Sequence, residues 1–143
     1  MAEYPLRFSV ALDTGTAANA AEAIALYAAL ASTVAEDFIA PGFVVGPHPA
    51  LRSSTIWIHD LNGRGDPERV VTFVTRCAEL FGLEGKWGFQ WANTCSEPLL
   101  DAFGGGALVL NLATGEVVDA VHTDAWLPVR LDDDAAGDAA RQR

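Results

Sequence analysis

The chain has 143 residues, half of them hydrophobic and a fifth charged, with nineteen acidic against nine basic side chains and a formal charge of −10 at pH 7. That length suits one domain and that hydrophobic content excludes an intrinsically disordered chain. The charge repels a phosphate backbone, so direct nucleic-acid binding would need a local basic patch, which the sequence lacks.

Leu6, Phe8, Val10 and Leu12 alternate with Arg7, Ser9 and Ala11, the period of two that gives a strand one apolar face. Thr14 or Thr16 can cap the helix that follows, in which Ile24, Tyr27, Ala31, Val34 and Phe38 recur at helical spacing up to Pro41-Gly42. Phe43 to Val45 and Thr55 to His59 read as two short strands separated by Gly46-Pro47-His48-Pro49, a prolyl stretch that cannot continue a central strand. After the break at Asn62-Gly63-Arg64-Gly65, Asp66 is a good N-cap and Pro67 suits the first helical position. Val70, Val71, Val74, Ala78 and Phe81 then line one face up to Gly82.

Trp87, Phe89 and Trp91 alternate with Gly88, Gln90 and Ala92, which predicts a strand with three large rings on one face, mostly buried. Leu108, Leu110 and Leu112 alternate with Val109 and Asn111, and Val117 to His122 returns after Thr114-Gly115-Glu116 as a hairpin. The order strand-helix-strand-strand-helix-strand predicts an α+β fold with a ferredoxin-like split sheet and an appended C-terminal β-hairpin. A single domain is expected over 1–131, followed by an acidic tail over 132–143 without regular structure. In such a fold both helices cover one sheet face, so the segment around Trp126 or a second copy of the chain should cover the other.

No stretch reaches the ~18 apolar residues of a membrane span. The start, Met1-Ala2-Glu3-Tyr4-Pro5, has no basic segment leading into an apolar run. The expectation is a cytoplasmic protein without membrane contact, with Cys77 and Cys95 as reduced thiols.

Several short motifs suggest chemistry that their context weakens. Asp13-Thr14-Gly15 matches an aspartic-protease loop, but an alanine-rich helix follows it at once, so strand end and helix cap explain it better. Arg64-Gly65-Asp66 resembles an adhesion tripeptide and reads here as a turn before a helix cap. Gly104-Gly105-Gly106 could cradle a phosphate only at a helix N-terminus, yet a strand follows, and turn geometry or close backbone contact is the expected role. His48, His59 and His122 have no metal-ligand spacing, so no metal or other cofactor is expected. Cys95, in a loop past a strand, could serve as a nucleophile if His59 or His122 supplied a base.

The stretch Gly88-Phe89-Gln90-Trp91-Ala92-Asn93-Thr94-Cys95-Ser96-Glu97-Pro98, followed by Leu100-Asp101-Ala102-Phe103-Gly104-Gly105-Gly106-Ala107, resembles small, mostly uncharacterised proteins common in phages, plasmids and integrated elements of proteobacteria. Their shared core reads Gly-Phe-x-Trp-x-x-Thr-Cys-Ser-Lys-Pro-Arg-x-Asp-x-Phe-Gly-Gly-Gly-Ala. Glu97 and Leu99 replace the lysine and arginine of that pattern. The resemblance implies a mobile-element accessory protein and brings no established chemistry.

These features point to a non-catalytic protein-interaction module, an acidic inhibitor or regulator of a host or mobile-element machine, assembled as a homodimer. The residues expected to carry the interaction are Trp87, Trp91, Glu97, Asp101, Gly104, Gly105 and Gly106. The alternative is a small enzyme with a thiol site at Cys95, with His59 or His122 as base and Glu97, Asp101 and the glycines around it.

Overall fold

The computed structural model describes residues 5–36, 42–97 and 103–141, with the backbone alone for 32–36 and 133–141. The chain forms a mixed α+β domain whose described residues hold three helices and two antiparallel sheets. In chain order the elements are β1 (Leu6–Arg7), β2 (Ser9–Asp13), α1 (Ala17–Glu36), β3 (Phe43–Gly46), β4 (Thr55–Asp60), α2 (Pro67–Phe81), β5 (Lys86–Asn93), β6 (Gly104–Asn111), β7 (Glu116–His122) and α3 (Thr123–Arg141). One sheet runs β1-β5-β6-β7 and the other β2-β4-β3.

The alternating run from Leu6 to Leu12, expected as one strand, divides at Phe8 between the two sheets: Leu6 pairs with Asn93, and Ser9 with His59. A strand that changes partners leaves backbone groups behind, and Asp60 takes them up. Its carboxylate accepts the amides of Phe8 at 2.9 Å and Gly63 at 3.1 Å, lies 3.7 Å from the Arg7 guanidinium, and its own amide donates to the Phe8 carbonyl. On the far side of the break, the Trp87 indole N–H donates to the Ala11 carbonyl at 2.8 Å.

Helix α2 is delimited by local chemistry. Asp66 caps it through the amide of Glu68, Pro67 opens it, and Gly82 closes it with φ 64°, in the left-handed region that glycine enters at no steric cost. Val70, Phe73, Val74, Cys77 and Ala78 are its buried residues. They join Ala20 and Ala23 of α1 and the inward residues Leu12, Phe43, Ile56, Ile58, Phe89, Trp91, Leu108 and Leu110 in one core. Thr14 is fully buried and satisfied, its hydroxyl bonding the carbonyls of Ser54 and Thr16. It belongs to the Asp-Thr-Gly stretch, whose Asp13 carboxylate accepts the Gly15 amide in a local turn.

Arg64-Gly65-Asp66 is structural as well: Arg64 bridges to Leu6, Asp66 caps α2, and a Cβ on Gly65 would stand 2.3 Å from the Phe8 ring. Phe38, expected on the first helix, lies outside the described residues. Helix α3 is an element that the sequence does not foresee. It starts directly from the end of β7 and contains Pro128, and residues 132–141 of the acidic segment expected without regular structure form its second half. No described helix is long and apolar enough to cross a membrane.

Candidate interaction site

Strand β5 presents Trp87, Phe89 and Trp91 as a ladder of rings about one residue pair apart, with successive centroids 5.5 and 5.4 Å from each other. Phe89 and Trp91 are each 7% exposed and Trp87 is half-buried. Trp87 and Trp91, expected to meet a partner, therefore pack into the chain's own core. The ladder continues sideways, since Trp91 stands opposite Gly106 on β6, and Gly106 opposite His122 on β7.

Gly104, Gly105 and Gly106 open β6 instead of forming a turn. Close approach is the reason for them: a Cβ on Gly106 would stand 2.3 Å from the Trp91 ring and 2.6 Å from the Val121 carbonyl oxygen, and one on Gly105 would stand 2.5 Å from the Trp91 carbonyl oxygen. The glycines thus clear room for the indole and for the neighbouring strands. They pair as strand residues with β5, Gly104 opposite Asn93, Gly105 opposite Ala92 and Gly106 opposite Trp91.

Cys95 is a half-buried free thiol two residues past β5, and exposed Glu97 follows it. Asp101 lies outside the described residues. Among the described residues no hydrogen bond joins Cys95 to either imidazole. His59 Nδ1 bonds the Asp60 carbonyl and its ring stacks on Trp57 at 3.9 Å, while the His122 ring lies 5.5 Å from Trp91. Register keeps them apart too. His59 faces Ser9 on β2, on the other side of the Phe8 break from Leu6 and Asn93, and His122 lies level with Trp91, four residues before Cys95. Burial pushes the second thiol, Cys77, from 9.0 up to about 12, so it stays a protonated core side chain.

The less expected feature is the far end of the larger sheet. Every residue of β7 is exposed, as is every residue of α3 whose side chain is described. Of the large hydrophobics exposed among the described residues, all but Leu61, Leu80 and Phe103 sit on these two elements: Val117, Val118, Val121, Trp126, Leu127, Val129 and Leu131. Ala120, Val121 and His122 face Ala125, Trp126, Val129 and Arg130 across an open groove of about 370 Å3. Such a lining is apolar with few convergent polar groups, and it suits a docked segment better than a small reactant. Trp126 is 49% exposed, so this segment flanks β7 without covering it, contrary to one of the two expected covers for the bare sheet face.

The register between β6 and β7 shifts between Val109 and Leu110, which leaves Val118 without an opposite residue. This bulge twists the edge locally. The signal for this region was present in the sequence as the valines of 117–121 and the apolar residues around Trp126. No family model matches the chain, and neither the curated proteins nor the solved structures yield a match.

Proposed function

We propose that the chain is a non-catalytic protein-interaction module whose contact surface is the β7 edge with α3. The observation that carries this is that, among the described residues, seven of the ten exposed large hydrophobics sit on two adjoining elements, since soluble chains seldom leave such a patch uncovered. Around it stand Glu116, Asp119, Asp124 and Asp132, which fits an acidic inhibitor or regulator of a host or mobile-element machine. The mobile-element setting is supported by the resemblance over Gly88 to Ala107. A ferredoxin-like path with an appended hairpin is part of the same proposal. It is supported by the pairing of β5 beside β1, β2 beside β4, β4 beside β3, and β6 with β7.

A photo-crosslinking side chain at position 118 tests the reading in living cells, with one at Leu80, an exposed hydrophobic of α2, as control. Protein adducts should form at 118 and not at 80. Absence of adducts at 118 would remove the proposed surface.

A further inference from the structure

We infer that the β7 edge and α3 are the interface of a homodimer, in which β7 of one copy pairs antiparallel with β7 of a second copy across a two-fold axis. This rests on the proposed interaction surface and names its occupant. The backbone supplies the first argument. Strand β7 ends its sheet, and an edge strand presents a row of unpaired amides and carbonyls that is a template for another strand.

Side-chain placement supplies the second. Val117 stands opposite Leu110 on the face of the ring ladder, and Val121 stands opposite Ala107 on the other face, yet both remain exposed. A partner must therefore cover both faces, as a strand with a helix attached can do. On α3, Trp126 and Val129 already line the groove. Leu127 and Leu131, one turn apart on a different side, are 51% and 60% exposed. That second apolar row is available to the partner.

Area suits a second copy, and a suitable register limits the like-charge repulsion between the two strands. With aromatics burying roughly 150–250 Å2 when fully covered and aliphatics less, the exposed fractions amount to several hundred Å2 per copy, against about 800 Å2 per partner in a standard interface. An antiparallel two-fold pairing centred on Ala120 sets each Asp119 opposite the partner's Val121 and leaves Glu116 beyond the end of the partner strand, so no two carboxylates of β7 face each other. Arg130, which lies over the Trp126 ring at 5.9 Å, supplies a cation for the partner's acidic strand. Self-pairing also closes: each copy gives and receives the same edge, leaving no β7 edge free for a third.

Sedimentation equilibrium of the full chain over a dilution series tests this. A reversible dimer is expected, with Val121→Lys and Leu127→Lys each weakening it at least tenfold, about 1.4 kcal/mol, while Leu80→Lys leaves it unchanged. Both altered residues are exposed in a single copy, and circular dichroism of each variant at low concentration should match the parent. A chain that is monomeric at every concentration overturns the homodimer, and crosslinks from position 118 to other proteins would then keep the interaction surface alone. A dimer indifferent to both β7 and α3 changes overturns it as well.

Discussion

The two ends of this molecule are built differently. Around β4, α2 and β5, polar groups that enter the interior are met: Thr14 bonds two carbonyls, Asp60 takes up the amides freed where the first strand changes sheets, and the Trp87 indole fills the gap that the change opens. At β7 and α3 apolar side chains stand exposed, and no described residue covers them. The contrast separates the part that holds the fold from the part left over for contact, so changes at the first should cost stability and changes at the second should cost association.

The largest loss is expected from Trp91→Ala. It empties a nearly buried ring site between Phe89, His122 and Gly106 and should lower unfolding free energy by about 3–5 kcal/mol in denaturant titration. Asp60→Ala leaves the Phe8 and Gly63 amides without their acceptor and should cost about 2–3 kcal/mol, with Asp60→Asn closer to the parent because one oxygen still accepts. Asp66→Ala removes the cap of α2 and should cost about 1 kcal/mol. Val118→Ser, at a side chain 45% exposed, should change the stability of the single copy by no more than about 0.5 kcal/mol.

Cys77 sharpens the comparison through pH. Its thiol is held neutral in the folded core up to about 12, from an ordinary 9.0, so the folded state binds the proton that the unfolded chain releases between those values. The stabilisation is complete below pH 9 and is lost as pH rises toward 12. Thermal unfolding across that window should fall less steeply for Cys77→Ala than for the parent. A parallel fall would show that the thiol is not desolvated.

Legibility in the sequence followed the range of the interactions. Helix α2 could be bounded to the residue because Asp66, Pro67 and Gly82 act on their neighbours, and β5 could be recognised because three rings alternate with small or polar residues. The Phe8 break was hidden, since the alternation runs through it and the carboxylate that secures it lies 52 residues away. The three glycines suggested a turn or a close backbone contact; the position of Trp91 across the sheet explains them as the second, within a strand. Helix α3 was masked by Pro128 and by an acidic run without apolar period. Of the residues expected at the site, Trp91 lies in the core and Trp87 packs against it, while the exposure of β7 and α3 depends on the whole topology and has no local signature in the sequence.

Hydrogen exchange of the full chain, dilute and concentrated, tests the division between holding and contacting surfaces most directly. Amides of β5 and β6 should be protected equally at both concentrations, while the outward amides of β7, 116–122, should exchange fast when dilute and slow down when concentrated. Outward β7 amides that are already protected in the dilute chain, or that stay unprotected at high concentration, would contradict the account.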